Sequence, residues 1–188
     1  MTVSISKLNT GASIPAIALS TWQSKDDAPY CYRNVKEVGE GIQQGLVESG
    51  LQRSDIFITP KIWCTYRTRV QENLDKSLGD LGLEYVDLYL LHWPIAMNPS
   101  ENHEKFPTLP DGSRDLVRER SHVDTYKDME KLLSTGMVKA IRVCNYSKGY
   151  LEELLGSASI IPAINQIENH PLLLQDEIVE VCRKAGIF

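Results

Sequence analysis

Apolar positions in this chain come in two arrangements: short, near-continuous runs, and longer stretches in which they recur every three or four residues. Runs of the first kind suit strands covered on both faces of a parallel sheet, and the spaced kind suits helices with one buried face. "SIPAIALSTW", which follows the turn "NTGA", predicts a strand over residues 16–21. Asn34, with Glu37 three positions on, predicts the start of a helix that places Val35, Val38, Ile42 and Leu46 on one face. Gly39, Gly41 and Gly45 weaken that helix.

From Ile56 onward the alternation becomes regular. "IFIT" predicts a strand, Thr68 with Gln71 opens a helix carrying Val70, Leu74 and Leu78, and "YVDLYLLH" predicts a second strand. A helix follows from about Ser121 to Thr135, carrying Val123, Tyr126, Leu132 and Leu133 and ending at Gly136. Then come the strand "VKAIRVC", the helical "YLEELLG", the strand "PAINQI", a helix from Gln175 to Ala185, and "GIF", which begins a further element. Strand and helix alternating at this spacing predict βαβ units around a parallel sheet, an α/β fold. The segment from Pro94 to Arg120, with four prolines and "PDG", interrupts the rhythm and reads equally as a binding loop or as disorder.

Composition narrows the function classes. The 188 residues fit one domain over the whole chain, and 42% hydrophobic with 24% charged residues is ordinary for a globular core. A net charge of −5 with scattered Lys and Arg leaves no basic footprint, so nucleic acid is not an expected partner. No apolar run approaches the ~20 residues of a membrane helix, and the N-terminus lacks a targeting pattern, which predicts a cytoplasmic protein. Cys31, Cys64, Cys144 and Cys182 are widely spaced and form no CxxC pair, so neither a metal site nor a redox motif is expected.

Ligand chemistry in parallel α/β folds gathers at the carboxyl ends of the strands. There the sequence places Trp22, Lys61 with Trp63, His92 with Trp93, Asn145, and Gln166 followed by Asn169 and His170. All three tryptophans sit just past strand ends, a pattern that suits an apolar cleft with few polar groups. A tyrosine, a lysine and a histidine in such a cleft suit proton donation to a carbonyl. A tyrosine of ordinary pKa ~10 needs a nearby ammonium to stabilise its phenolate. GxSxG, Walker, GxGxxG and HExxH motifs are absent from the sequence.

With those residues in hand, the chain resembles the aldo-keto reductases. The resemblance rests on "NTGASIPAIALSTWQS", "DDAPYCYRNVKEVGEGI", "DIFITPKIWCTY", "LDKSLGDLGLEYVDLYLLHWPIAMNP", "MEKLLSTGMVKAIRVCNYS" and "IIPAINQIENHP". It implies a (β/α)8 barrel, here incomplete with about five of eight strands, and NADP(H)-dependent carbonyl reduction. The loop "NHEKFPTLPDGSRD" is similar to a fungal branch acting on glyceraldehyde-type aldehydes and polyols such as glycerol. The resemblance implies Asp27, Tyr32, Lys61 and His92 as catalytic residues. Thr21, Trp22, Cys144, Asn145 and Gln166 would contact the cofactor, and Trp22, Trp63 and Trp93 would line the substrate cleft. A small carbonyl or polyol is the implied ligand.

The chain also departs from the family pattern. Only "QSKD" separates Trp22 from Asp27, where the family has a helix and a strand, and the chain stops at "AGIF", which predicts an internally deleted and C-terminally truncated barrel. Exposed sheet edges would then favour self-association. Ser20 and Arg142 stand where the family has glycines, Cys144 where it has serine, and Pro60 precedes Lys61. A cation as long as Arg142 inside a packed barrel needs a partner. These departures keep two alternatives open beside the reductase: a catalytically impaired accessory or binding protein, and a truncated product without function.

Overall fold

The computed structural model describes residues 4–19, 34–99 and 105–188. An antiparallel hairpin, β1 (Ile5–Lys7) and β2 (Ser13–Pro15), precedes helix α1 (Val35–Ser49). Four strands then form one parallel sheet in chain order: β3 (Lys61–Ile62), β4 (Tyr89–Leu91), β5 (Ile141–Cys144) and β6 (Asn165–Gln166). The crossovers are α2 (Val70–Leu81), α3 (His122–Leu132) and α4 (Lys148–Leu155), and α5 (Asp176–Ala185) follows β6. After α5 the backbone returns beside β6, with Phe188 N donating to Ala163 O at 3.1 Å and Asn165 N to Phe188 O at 3.2 Å. This is the arc of a β/α barrel, with Phe188 lying beside β6.

The helix-facing side of the sheet is apolar. Ile62, Tyr89, Leu91, Ile141 and Val143 pack with Val70, Leu74 and Leu78 of α2, Val123, Tyr126, Met129 and Leu132 of α3, and Leu151 and Leu154 of α4. Each such aliphatic side chain contributes about 1.5–3 kcal/mol on burial, so this layer is the main source of stability. A smaller cluster of Leu8, Leu88, Ala140, Ala163 and Ile164 closes the amino-terminal end of the inner face, where the β1–β2 turn is tied down by Asn9 Nδ2 donating to Pro162 O at 3.1 Å.

Local expectations fail where tertiary neighbours overrule pattern. The strand expected over residues 16–21 is not formed over its described part: the chain bends at Ala16, and Ile17 and Leu19 are 77% and 93% exposed. An apolar run becomes a strand only where another strand accepts its hydrogen bonds, and none does here among the described residues. "IFIT" is extended but not yet a strand. Ile58 O accepts from Asp87 N and Leu88 N just before β4 and Pro60 O from Leu90 N within it, while Pro60 has no N–H to return, so the ladder closes only at Lys61.

Asn34 stands at the N-cap of α1 as expected, although it makes no side-chain cap bond, whereas α2 starts one residue later than Thr68 would set it, with Arg69 at the cap. The capped helix is α3, where Ser121 and Asp124 bond reciprocally. Gly39 is a contact rather than a weakness, because a Cβ there would lie 2.6 Å from Asp80 O of α2. Of the long Pro94–Arg120 segment, the described residues fold tightly. Met97 bridges Leu116 and Thr108 bridges Arg114, around a turn in which Gly112 takes φ +83° and Asp111 accepts from Ser113.

Candidate active site

Strand register decides which side chains meet. Lys61 stands opposite Leu90 and Leu90 opposite Arg142, while Ile62, Leu91 and Val143 align one step on, and Cys144 faces Gln166. Side chains alternate along a strand, so Ile62, Leu91 and Val143 face the helices and their neighbours face inward. Lys61 and Arg142 therefore share one inner row with Leu90. Trp63, His92, Cys144 and Gln166 form the next row toward the carboxyl ends, held by His92 N donating to Ile62 O at 3.3 Å and Asn145 N to Gln166 O at 3.0 Å. Six sequence-predicted site residues thus converge on one rim, with Trp93 beside them; Thr21, Trp22, Asp27 and Tyr32 lie outside the described residues.

His92 is at the centre of the row and only 7% exposed. Burial, assisted by the cations of Lys61 and Arg142, pushes its pKa down to about 3. Its imidazole is therefore neutral at physiological pH and can offer a hydrogen bond without a charge. The ring meets Trp63 edge-on at 5.1 Å, and Trp63 meets Phe106 edge-on at 5.2 Å on its other side. The Trp63 indole N–H also donates to Lys105 O at 2.7 Å, so the 105–120 segment clamps Trp63 against His92. Of the two readings of this loop, its described residues suit a site wall.

The polar neighbours are fixed with equal economy. Asn145 adopts φ +59°, a left-handed conformation that asparagine tolerates better than most residues, and its Nδ2 donates to His92 O at 2.9 Å. One side chain thereby ties the ends of β4 and β5 together. Cys144 is buried, which raises its thiol pKa, while Lys61 and Arg142 act in the opposite direction. Gln166 is exposed at the rim. Asn169 and His170 leave the row for a surface turn, in which Asn169 Nδ2 donates to Leu174 O at 2.7 Å.

Two contributors are missing from the sequence-level reading. Arg67, 2% exposed, donates to the carbonyls of Trp93 and Ile95 and so positions the half-exposed Trp93, whose ring centroid lies 6.3 Å from that of His92. Phe106 supplies the second face of the Trp63 clamp. Neither sits at a strand end or on a helical stripe, so only the folded loop reveals them. Among the described residues no cluster of His, Cys, Asp and Glu could hold a metal ion, and no helix is long and apolar enough to cross a membrane.

The arrangement is chemically coherent: a neutral imidazole and an ammonium under an aromatic wall, with two carboxamides at the lip. Such a surface can hold a polar carbonyl and settle charge that develops on its oxygen.

Comparison with known proteins points the same way. A profile of the Aldo/keto reductase family matches residues 26–188. The chain is 53% identical to the D-galacturonate reductase of Hypocrea jecorina over 199 residues, covering 96% of this chain and 64% of that protein. It is 41% identical to the glycerol 2-dehydrogenase (NADP(+)) of Saccharomyces cerevisiae, covering 97% of this chain and 65% of that one. The aldose reductase of Schistosoma japonicum superposes with a TM-score of 0.91 at 35% identity, over 98% of this chain and 67% of its own. This chain therefore spans about two thirds of the length of the relatives it matches. The 199-residue match exceeds the 188 residues of the chain, so the relative carries residues that this chain lacks.

Proposed function

This chain belongs to the aldo/keto reductase family, and we propose that it reduces an aldehyde or ketone to an alcohol at the Trp63–His92–Cys144–Gln166 rim, using NADPH. The observation that carries the reading is the inner-face register, which puts Lys61 one row below Trp63 and the neutral, buried His92 of the adjacent strand. The residues fit the cofactor: Asn145 and Gln166 bring side-chain carboxamides to the lip, groups that complement the donor and acceptor of a nicotinamide carboxamide. Cys144, Thr21 and Trp22 complete the cofactor-contacting set in this reading. When bound, the cofactor supplies the hydride.

The chain's own residues handle the proton and the orientation. Tyr32 donates its phenolic proton to the carbonyl oxygen as carbon accepts the hydride, so C=O becomes CH–OH. The Lys61 ammonium stabilises the phenolate left behind, and Asp27 keeps that ammonium charged. His92, uncharged, orients the carbonyl oxygen by a hydrogen bond. Trp22, Trp63 and Trp93 wall off water from the reacting carbonyl. Small sugar-derived aldehydes and their polyols are the substrate range, which the names of the two fungal relatives support, one acting on an acid and the other on a neutral polyol.

Self-association and location belong to the same proposal. Among the described residues β3 has a neighbour on one side only, and an unpaired strand edge is a template for a second chain. Cys64, Cys144 and Cys182 are buried and form no disulfide among the described residues, as suits the reducing cytoplasm. The test is NADPH oxidation by the purified 188-residue chain with glyceraldehyde. Turnover should fall by about 10²-fold or more in Tyr32→Phe and in Lys61→Met. Absence of turnover in the unaltered chain, or its survival in both variants, overturns the reading.

A further inference from the structure

A cavity of about 250 Å³ opens between the backbone that follows Trp93, the 116–121 stretch, the amino-terminal end of α3 and the residues Tyr150 and Glu153 of α4. It shares no lining residue with the rim of Lys61, Trp63, His92, Cys144 and Gln166. Part of the lining is apolar, from Ile95, Ala96, Leu116 and Val117, and the remainder is polar. A water occupies ~30 Å³ in the liquid, so the space suits a single substituted ring.

His122 is the buried member of the polar part. It is 4% exposed, with Tyr146 and Tyr150 edge-on to its ring at 5.3 Å and 5.0 Å. Its Nε2 lies 3.0 Å from Glu153 Oε2, yet neither ring nitrogen makes an aligned hydrogen bond among the described residues. Buried polar groups ordinarily have a partner, and an imidazole carries an N–H in either tautomer. Glu153 is an incomplete partner, since its side chain is 57% exposed and shared with water.

The surroundings of His122 set the sign of what it would receive. His122 and Val123 open α3, where the N–H groups have no intrahelical acceptor and the helix end attracts negative charge. Asp124 is already committed to Ser121. Arg120 is held by Asp128, whereas Arg118 lines the cavity with no ion pair or hydrogen bond among the described residues. Behind Ile95, the buried guanidinium of Arg67 donates through Nη1 to Ile95 O at 2.8 Å and leaves Nε and Nη2 without partners, adding positive charge beneath that wall.

We propose that this cavity is a second ligand site that takes a small organic phosphate monoester. The phosphate oxygens accept from His122, Arg118 and the amino terminus of α3, Glu153 swings out to solvent, and the organic body lies on Ile95, Leu116 and Val117. Three acceptor oxygens match several convergent donors better than the two of a carboxylate do. The carbonyl rim contributes no residue, so this assignment stands apart from the reductase reading.

The probes are phenyl phosphate, phenol and inorganic phosphate, titrated calorimetrically into the full 188-residue chain in phosphate-free buffer without NADP+. Phenyl phosphate should bind saturably and about tenfold or more tighter than either of the others, because only it uses both parts of the lining. Arg118→Gln and His122→Gln should each weaken it by about fivefold or more, and Glu153→Gln should tighten it, because the competing carboxylate is gone. Melting curves establish that the variants are folded, and the two exposed positions, Arg118 and Glu153, decide the matter if the His122 variant is not. Lys61→Met, at the rim, should leave the affinity unchanged. No saturable binding, phenol binding as tightly as phenyl phosphate, or an affinity indifferent to Arg118→Gln and Glu153→Gln overturns the proposal. Loss of binding in Lys61→Met with retention in Arg118→Gln would place the anion at the rim and overturn it equally.

Discussion

The two faces of one short sheet divide the labour of this protein. On the outer face, Ile62, Tyr89, Leu91, Ile141 and Val143 are all nearly inaccessible and pack into the apolar core, Tyr89 with its hydroxyl donating to Asn73 Oδ1 at 2.8 Å. On the inner face, residues adjacent to them in sequence are Lys61, His92, Arg142 and Cys144, of which two carry charge. "KIW", "YLLH" and "IRVC" each alternate between the two roles. A period of two therefore separates what holds the fold from what does chemistry, and a one-residue slip would exchange them.

That separation breaks most visibly from the outside. Leu91→Ala, at a fully buried outer position, should cost about 2–5 kcal/mol of unfolding free energy in denaturant titration, through lost burial and the cavity left behind. A variant as stable as the unaltered chain would mean that the outer layer does not carry the fold.

His92 should sharpen the comparison through pH. Its folded pKa of about 3 lies below the ordinary ~6.5 of an exposed histidine, so between those values the unfolded chain binds a proton that the native chain refuses. Stability should rise with pH across that window and fall as the solution is acidified through it. Carboxylates contribute at the acid end, so the diagnostic is a difference: the melting midpoint of His92→Gln should depend less steeply on pH between 4.5 and 6.5, as an experimental range, than that of the unaltered chain. Parallel curves would mean that His92 is solvated.

The smallest and most telling effect runs in the opposite direction. Arg142→Met replaces a buried cation whose Nε has no hydrogen-bond partner, and which pairs with no carboxylate among the described residues, by an apolar side chain, and should raise stability by about 1–2 kcal/mol, seen as a higher melting temperature. A substitution that stabilises the fold identifies a residue retained for something other than folding. Destabilisation instead would place Arg142 with the outer face as a structural group.

Much of this division was legible in the sequence. "YVDLYLLH" and "VKAIRVC" announce β4 and β5 because both strands are central and covered on both sides, where composition alone suffices. β3 begins late because Pro60 withholds one donor, a displacement of a few residues that an apolar run cannot reveal. The 16–21 run misled because its pattern reports burial potential and not whether a neighbouring strand exists. Lys61, His92, Asn145 and Gln166 could be placed at the carboxyl ends of strands because strand ends are predictable and the family resemblance aligns them. Arg67 and Phe106 could not, since they act through a loop whose path depends on contacts distant in sequence. Arg142 was visible only as a misfit, and the register gave that misfit a place.

Tryptophan emission offers the most direct measurement, because Trp63 and Trp93 flank the proposed nicotinamide and carbonyl positions. Titrating NADPH into the 188-residue chain should give saturable quenching, preserved in Lys61→Met, which alters proton chemistry rather than the carboxamide lip. A linear, non-saturating decline no greater than that of free tryptophan would contradict the assignment of this rim as a cofactor-dependent carbonyl site.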